Sequence, residues 1–397
     1  MKTRMKTIFP TGAAIVWAML ANPTPVCGDW TNLLPRGVTN SSMGCVYDSY
    51  RSRGVMFGGN DADNYQVHGR TYEWNGESWQ LAATNGPLAR ANHALAFDKQ
   101  RHRVVLFGGW TTPNDYCGDT WEWDGGSWVY LAVPGPGARA NCAIAYDSQR
   151  AKTVLFGGSY YETIYGDTWE WNGNLWTNMG SSGPGPRIFA AAAYDESRHR
   201  VVLFGGQTTY YGTFLNDTWV WDGTRWTLVA TNGPSARAAH AMAYDPIGKR
   251  IVLFGGGGWG RPEQFNDTWE WAGTAWKMIP DYGPAPRQYA GMFFDAQRQG
   301  LIVQGGWSIT NGIYADTWQF AEFMLRAAIR VSQVEICWNS VTNATYEVQY
   351  RSELTTNIWT PLKQCVSGSA SNTCVQDAVP TGAPQKFYRV ILKDCVP

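Results

Sequence analysis

The stretch 117-CGDTWEWDGGSW-128 returns with small changes as 166-GDTWEWNGNLW-176, 216-NDTWVWDGTRW-226 and 266-NDTWEWAGTAW-276. A diglycine stands upstream of each copy, and diglycines recur at Gly58-Gly59, Gly108-Gly109, Gly157-Gly158, Gly205-Gly206, Gly255-Gly256 and Gly305-Gly306. Their successive spacings are 50, 49, 48, 50 and 50 residues. A nearly constant period of this length indicates a repeat architecture with six copies of one unit.

Each complete unit carries the signals of four short strands. The runs 239-AHAMAY-244 and 250-RIVLFG-255 flank the turn-like 245-DPIGK-249 and predict a hairpin. Trp269 and Trp271 lie on a third strand, and Trp276 begins a fourth strand after a tight turn. The unit resembles the kelch repeat of β-propellers, and the resemblance covers residues 28–320. It implies an all-β chain built on a six-bladed kelch-type β-propeller.

The two ends of the repeat region predict how the ring closes. The sixth unit ends at 315-ADTWQF-320 without a fourth strand in register, whereas 29-DWTNLLPRG-37 has the pattern of a fourth strand. A propeller whose first and last blades are not joined leaves exposed sheet edges. We therefore expect the N-terminal strand to complete the last blade.

Residues that recur in every unit are predicted to be scaffold. Residues two apart in a strand share a face, so Trp121 and Trp123 point the same way and suit the gap between adjacent sheets. The same reasoning gives a structural role to two further recurring sets. These are the aspartates Asp119, Asp167, Asp217, Asp267 and Asp316, and the arginines Arg90, Arg139, Arg187, Arg237 and Arg287.

The segments outside the repeats predict an exported protein with a second domain. Residues 1–27 place three cations before an apolar stretch too short to span a bilayer, the pattern of a secretory signal peptide. We therefore expect the mature chain to be secreted or at the cell surface, without a transmembrane span. Residues 321–397 alternate like half-buried strands and resemble the fibronectin type III-like domains that end many secreted bacterial proteins. That resemblance implies a small β-sandwich.

The cysteines are expected to form disulfides, because the chain is predicted to be exported and none of them lies in a C-x-x-C pair. Cys365 and Cys374 flank a hairpin-like turn, and Cys337 with Cys395 would then fix the C-terminus. A further pair is expected at one mouth of the ring, between Cys117 and Cys142 of adjacent blades.

Binding residues are expected where the units differ, in the loops between the diglycine and the tryptophan strand. These loops open on one mouth of the channel and carry the candidate ligand-binding residues Tyr65, Trp110, Tyr116, Tyr160, Tyr161, Tyr210, Tyr211, Trp259, Trp307 and Tyr314. Aromatic rings beside amides and carboxylates suit a carbohydrate, which stacks its apolar faces and hydrogen-bonds through its hydroxyls. Lys plus Arg and Asp plus Glu number 32 each, without a basic stripe, which argues against a nucleic-acid partner. The prediction is a binding or adhesion protein for an extracellular glycan or protein.

An enzymatic role is the main alternative. A propeller followed by a β-sandwich is similar in layout to galactose oxidase, a copper enzyme, but the copper ligands of that enzyme are not matched. No histidine follows residue 320, and His93 and His240 belong to the second and fifth units, on opposite walls of the ring. No cofactor, metal ligand or catalytic residue is therefore predicted. A carbohydrate-active oxidase or hydrolase on the same mouth and a protein–protein interaction scaffold both stay open, since one fold hosts unrelated functions.

Overall fold

The computed structural model describes residues 29–33, 37–61, 66–112, 115–258, 263–279, 283–321, 325–330, 333–338, 345–351, 359–368, 373–378 and 387–394. The predicted signal peptide lies outside these ranges. The chain divides into two compact units, Asn32–Ala321 and Met1–Thr31 with Glu322–Pro397. In the described ranges, no helix has the length and apolar character needed to cross a membrane.

The regular elements are β-strands, which we number in chain order. As far as Ala321 they are β1 (Asp29–Asn32), β2 (Gly44–Asp48), β3 (Arg53–Phe57), β4 (Thr71–Trp74), β5 (Trp79–Ala83), β6 (Ala94–Asp98), β7 (Arg103–Phe107), β8 (Trp110–Thr111), β9 (Asp115–Tyr116), β10 (Thr120–Trp123), β11 (Trp128–Leu131), β12 (Ala143–Asp147), β13 (Lys152–Phe156), β14 (Ser159–Tyr160), β15 (Thr163–Ile164), β16 (Thr168–Trp171), β17 (Trp176–Gly180), β18 (Ala191–Asp195), β19 (Arg200–Phe204), β20 (Thr218–Trp221), β21 (Trp226–Ala230), β22 (Ala241–Asp245), β23 (Arg250–Gly256), β24 (Phe265–Trp271), β25 (Trp276–Ile279), β26 (Gly291–Asp295), β27 (Gly300–Gln304), β28 (Trp307–Ser308), β29 (Gly312–Ile313) and β30 (Thr317–Ala321).

These strands form six four-stranded sheets in the described part of the chain, which we call blades 1 to 6. In strand order they are β2-β3-β4-β5, β6-β7-β10-β11, β12-β13-β16-β17, β18-β19-β20-β21, β22-β23-β24-β25 and β26-β27-β30-β1. Each repeat unit thus folds into one blade, and the chain is all-β as its repeat pattern predicts. Short two-stranded ribbons, β8-β9, β14-β15 and β28-β29, lie in the loops of blades 2, 3 and 6.

The first strands of the blades form a closed ring. They contact one another in the order β2, β6, β12, β18, β22, β26 and back to β2. Just before these strands, one residue of each blade donates its backbone N–H to a carbonyl of the preceding blade at 2.8–3.1 Å. We call these six the ring residues: Ser42, Asn92, Asn141, Phe189, Ala239 and Tyr289. All have φ between 53° and 63°, the left-handed region that costs energy outside glycine, so the ring of hydrogen bonds holds them there.

The N-terminal strand completes blade 6, as the sequence predicts. Strand β1 lies beside β30 at the outer position of that blade. The backbone N–H of Leu33 donates to the carbonyl of Thr317 at 2.9 Å. One blade is therefore built from both ends of the repeat region, which joins the ring and covers the edge of β30.

The recurring tryptophans fill the gaps between blades. In blade 2, Trp123 and Trp128 are buried with Phe57 of blade 1, and Trp121 packs on the same cluster. The prediction that Trp121 and Trp123 share a face is confirmed. The indole N–H of Trp128 donates to the hydroxyl of Thr71 across the gap at 2.8 Å. Burial of an indole of about 200 Å² contributes at most about 5 kcal/mol.

The recurring arginines and aspartates pair with each other. In blade 5, the buried Arg237 places Nη1 and Nη2 at 2.5 and 2.8 Å from the two carboxylate oxygens of Asp267. Nη1 also donates to the carbonyl of Gly255 at 2.9 Å, and the Trp269 indole donates to Asp267 at 2.7 Å. The equivalent pairs are Arg90–Asp119, Arg139–Asp167, Arg187–Asp217 and Arg287–Asp316. Each blade from 2 to 6 thus ties its entry loop to its third strand with a bidentate ion pair.

The diglycine recurs because two consecutive residues turn beside crowded backbone. Gly255 and Gly256 have φ of 65° and 102°. A Cβ on Gly255 would lie 2.8 Å from the carbonyl oxygen of Arg287, and one on Gly256 would lie 2.7 Å from Cβ of His240. Only glycine meets both demands without strain.

The C-terminal unit contains β31 (Leu325–Arg330), β32 (Gln333–Trp338), β33 (Thr345–Arg351), β34 (Thr360–Ser367), β35 (Thr373–Ala378) and β36 (Phe387–Asp394). Its two three-stranded sheets are β31-β32-β35 and β34-β33-β36. A cluster centred on Trp338, Tyr346 and Val348 contains residues of both sheets. The two sheets therefore enclose one small apolar core.

A disulfide joins Cys337 to Cys374 in this unit. The two residues are direct cross-strand partners on β32 and β35, with Cα atoms 4.1 Å apart. The expected pairs Cys365–Cys374 and Cys337–Cys395 are therefore wrong, because sheet pairing brings Cys374 to Cys337 and not to its neighbour across the turn. Cys395 lies outside the described residues.

Candidate binding site at the propeller mouth

The loops that differ between repeats lie at the same end as the ring residues. The residue before each ring residue forms a backbone bridge with the start of the loop between the second and third strands of its blade. The bridges are Ser41–Asn60, Ala91–Trp110, Ala140–Ser159, Ile188–Gln207, Ala238–Gly257 and Gln288–Trp307. The loops therefore surround one end of the ring, which we call the mouth.

Four of the predicted binding residues meet at the mouth, from blades 2, 3 and 4. The ring of Tyr116 lies 5.4 Å from that of Tyr160 and 5.0 Å from that of Tyr161, which are 4.8 Å from each other. The hydroxyl of Tyr116 is 3.3 Å from that of Tyr210. We call these four residues the tyrosine cluster. Tyr160 and Tyr161 are 40% and 50% exposed, so their rings are accessible to a ligand.

Two short ribbons position the cluster. Tyr116 pairs with Trp110 in the β8-β9 ribbon, and Tyr160 pairs with Thr163 in the β14-β15 ribbon. Tyr161 occupies the turn of the second ribbon with φ of 48°. The aromatic side chains are thus carried by hydrogen-bonded turns and not by free loop segments.

A hydrogen-bond network below the exposed rings fixes Tyr210. Its hydroxyl lies 2.9 Å from Ser159 Oγ and accepts from the amide Nδ2 of Asn141 at 2.9 Å. The same amide donates to Ser159 Oγ at 3.1 Å. Burial, and next the hydrogen bond with Tyr210, raise the pKa of Tyr116 well above its usual value, so its hydroxyl stays neutral. The network joins the loops of blades 2, 3 and 4 into one rigid surface.

Two further predicted residues belong to other surroundings. Tyr211 follows the cluster in sequence and is 82% exposed. Tyr314 lies under the guanidinium of Arg287, whose Cζ is 3.9 Å from the ring centre, and accepts a hydrogen bond from Asn311 at 2.9 Å. Tyr314 therefore supports an Arg–Asp pair and is only partly available to a ligand.

Of the remaining predicted aromatics, the two that the structure describes do not join the cluster. Trp110 and Trp307 are half-buried at the bridges of blades 2 and 6. Tyr65 and Trp259 lie outside the described residues. Among the described candidates, those that contact one another come from blades 2, 3 and 4, whereas the sequence distributed the candidates over all six blades.

Cys117 and Cys142 are free thiols, so the disulfide expected at the mouth is wrong. The sulfur of Cys142 lies 3.4 Å from the carbonyl oxygen of Gly157 in its own blade. Burial raises the pKa of the Cys142 thiol to about 12 and also raises the pKa of Cys117. The location of the two cysteines in adjacent blades did not predict a bond between them, because the turn of its own blade sets the direction of each side chain.

The ring residues were not predicted as site residues. They and the residues that follow them line a cavity of about 160 Å³ on the ring axis at the mouth. The sequence held a signal for them, because the second position after each recurring arginine varies between Asn92, Asn141, Phe189, Ala239 and Tyr289. Function was expected where the repeats differ, but that expectation covered only the long loops and missed single variable positions.

The two histidines of this cavity are neutral. Burial, and secondarily the charge of a nearby arginine, lowers the pKa of His93 and of His240 to about 3. Nε2 of His93 accepts from the backbone N–H of Gly44 at 3.1 Å. Both ring nitrogens of His240 lack a partner among the described residues. Within those ranges, no group of three His, Cys, Asp or Glu side chains is placed to hold a metal ion.

Comparisons with known proteins agree with this architecture. Residues 170–322 match the family model of the KLHDC2/KLHL20/DRC7 Kelch-repeats domain. A solved structure described as "Structure of YjhT" is similar, with a TM-score of 0.57 and 14% identity, over 75% of this chain and 97% of that chain. No curated protein matches the sequence significantly. The blades, their recurring motif and these likenesses define the fold as a kelch-type β-propeller.

Proposed function

We propose that this protein binds an extracellular glycan at the mouth of its propeller, with the tyrosine cluster as the stacking surface. A kelch-type propeller by itself suggests a binding or scaffold role. The observation that carries the finer proposal is the exposure of Tyr160 and Tyr161 on a surface that Tyr116 and Tyr210 hold rigid.

The geometry of the cluster suits a sugar. The rings of Tyr160 and Tyr161 meet at 83° and those of Tyr116 and Tyr160 at 62°, so the edge of one ring packs toward the face of the next, and the exposed parts of Tyr160 and Tyr161 offer ring surface to a ligand. The apolar face of a pyranose stacks on such a face. The exposed carboxylates of Asp115 and Glu162 lie beside the rings in sequence and can accept hydrogen bonds from sugar hydroxyls. Because the rings are already fixed, binding loses little side-chain entropy.

Export to an oxidising compartment is part of the proposal. It is supported by the signal-like pattern of residues 1–27 and by the disulfide between Cys337 and Cys374, since disulfides persist mainly outside the cytosol. A glycan of a cell surface or matrix is the ligand that such a location makes available.

A protein partner is the second candidate. Tyrosine is enriched at the centre of protein interfaces, and the 82% exposure of Tyr211 beside the cluster gives a partner a further contact. A competition experiment separates the two candidates. Free sugar displaces a bound glycan, but it does not displace a folded protein partner.

The test is a glycan array with the oxidised, exported chain and two variants. The first variant carries Tyr160→Ala and Tyr161→Ala. The matched control is Tyr130→Ala, a tyrosine of 55% exposure on the outer strand of blade 2. We expect selective glycan binding by the parent and the control, and a loss of at least about tenfold in the double variant, which corresponds to about 1.4 kcal/mol of stacking.

Circular dichroism and thermal melts of all three proteins establish that the fold is kept. Equal binding by the parent and the double variant would exclude the tyrosine cluster as the sugar site. If the parent binds no glycan, the second candidate function, recognition of a protein partner, is favoured.

A further inference from the structure

The axial cavity is a second feature of the mouth, distinct in position from the tyrosine cluster. Its lining combines the six ring residues with the residue after each, including His93, Cys142 and His240. The ring backbone repeats from blade to blade, with the same hydrogen bond and the same φ, but the six side chains do not. A uniform backbone with unlike side chains indicates that the scaffold is fixed and the lining is adapted.

The ring side chains divide into two arcs. Blades 1 to 3 contribute Ser42, Asn92 and Asn141, which are polar. Blades 4 to 6 contribute Phe189, Ala239 and Tyr289, which are apolar or aromatic. Phe189 and Ala239 also belong to an apolar cluster against which Tyr289 packs. The cavity therefore has one side that offers hydrogen bonds and one side that offers apolar surface.

The polar arc contains a buried acceptor without a donor. Asn141 is 7% exposed, and its Nδ2 is fixed by Ser159 and Tyr210. With the amide held in this way, its Oδ1 has no hydrogen-bond partner in the described structure. An unpaired buried carbonyl oxygen has lost its hydration without a replacement, so a ligand hydroxyl that donates to it is favoured. His240, 6% exposed with both ring nitrogens unpartnered in the same ranges, adds a second unmet requirement to the lining.

The lining carries no charge. No aspartate, glutamate, lysine or arginine is among its residues, and His93 and His240 are neutral. A charged group placed there would lose its hydration without gaining a counter-ion, which is costly. The cavity therefore selects against acidic and cationic ligands.

Size narrows the class of ligand further. A cavity of about 160 Å³ is close to the roughly 150 Å³ known to accommodate a benzene ring. A pyranose is larger than benzene, so its ring occupies the cavity while its exocyclic groups extend into the open mouth, and its hydroxyl edge and apolar face match the two arcs.

We propose that the axial cavity binds one neutral pyranose residue, with its hydroxyls toward Asn92 and Asn141 and its apolar face toward Phe189 and Tyr289. This inference rests on the proposed glycan-binding function and names the substrate class. Tyr210 connects the two regions, because its hydroxyl contacts both Asn141 in the cavity lining and Tyr116 in the cluster. The cavity takes a terminal neutral sugar and the tyrosine cluster takes its neighbour.

The test uses isothermal titration with the methyl glycosides of galactose, glucose, mannose and N-acetylglucosamine, and with methyl glucuronide as the charged probe. The Ala239→Phe variant fills the cavity. A phenylalanine is compatible with the backbone at this ring position, because Phe189 already has nearly the same φ, 56° against 53°. The matched control is Ala285→Phe, in an exposed entry loop away from the cavity. A second variant, Asn92→Leu, removes a hydrogen-bonding group from the polar arc without adding bulk opposite.

We expect at least one neutral glycoside to bind the parent and Ala285→Phe more than tenfold more tightly than methyl glucuronide. Ala239→Phe and Asn92→Leu are each expected to weaken that binding at least tenfold. Should either cavity variant fail to fold, the other gives the result.

Unchanged glycoside and array binding by Ala239→Phe and Asn92→Leu, together with loss in the Tyr160→Ala and Tyr161→Ala variant, overturns the cavity assignment and leaves the proposed function standing. Equal or tighter binding of methyl glucuronide also overturns it. Absence of both glycoside and array binding by the parent overturns both.

Discussion

Removal of the Asp267 carboxylate is expected to destabilise the propeller strongly. Arg237 is fully buried, and its guanidinium meets the carboxylate with two contacts of 2.5 and 2.8 Å. In the Asp267→Ala variant the guanidinium keeps its bonds to the carbonyls of Ser235 and Gly255, but its charge has no counter-ion. Breaking a buried ion pair from one side costs about 3–5 kcal/mol, because an uncompensated charge stays in a poorly hydrated place.

A double-mutant cycle separates this charge effect from lost packing. Blade 1 supplies the substitution, because Asn40 occupies the arginine position there and donates to the carbonyl of Gly58 at 2.7 Å. We expect Arg237→Asn combined with Asp267→Ala to be less destabilised than the sum of the two single variants by about 2–3 kcal/mol, since contacting partners couple.

The assay is equilibrium unfolding in guanidinium chloride, followed by the fluorescence of the tryptophans that fill the gaps between blades. Glu77→Ala, at an exposed turn of blade 1, is the control, with an expected change within about 0.5 kcal/mol. Additive single and double variants, or a loss below about 1 kcal/mol in Asp267→Ala, would refute the view that a buried ion pair holds the entry loops of blades 2 to 6.

Two further results are expected. Two opposed effects act on the pKa of the paired aspartates. Burial raises it, but the hydrogen bonds and the charge of the partner arginine lower it by more, so the pKa lies below its usual value at Asp119, Asp167, Asp217 and Asp267. A pKa lowered in the folded state stabilises it above the unfolded value of about 3.9, so the melting temperature should fall as the pH decreases from about 5 through those lowered values, and a flat profile would contradict this. Replacement of Cys337 by Ser opens a loop with a sequence separation of 37 residues and should lower the stability of the C-terminal unit by about 4 kcal/mol, measured by hydrogen exchange, with peptide mapping without reductant to confirm the parent's bond.

The fold follows closely from the sequence because its determinants are local and repeated. Two glycines, a Trp-x-Trp strand and a closing tryptophan recur together, and a strand period of two places the indoles on one face. Even the closure through β1 could be predicted, since a missing strand at one end matched a surplus strand at the other. The pairing of the recurring arginines with the recurring aspartates was not predicted, because partners such as Arg237 and Asp267 stand 30 residues apart and meet only when the blade folds.

The candidate site follows only in part. Composition pointed to aromatic loops, and Tyr116, Tyr160, Tyr161 and Tyr210 do meet. Tyr314 is instead engaged with Arg287. The register of the repeat held a signal for this role. Tyr314 stands two residues before a recurring aspartate, as do Tyr165 and Phe265, which lie against Arg139 and Arg237 in the same way.

The disulfide errors have a related origin. Nearness in the chain favoured Cys365 with Cys374, and nearness of blades favoured Cys117 with Cys142. The register between β32 and β35 pairs Cys374 with Cys337. The turns of the individual blades leave Cys117 and Cys142 as free thiols.

The sequence by itself determined the all-β class, the period of the blades and the identity of the residues that build every blade. These depend on alternation within a strand and on glycine at turns, interactions that span a few residues. Only the tertiary structure decided which variable side chains share a surface. Tyr116 and Tyr210 are 94 residues apart, and ring closure brings Ser42 beside Tyr289, so the tyrosine cluster and the axial cavity exist only once six blades have packed around one axis.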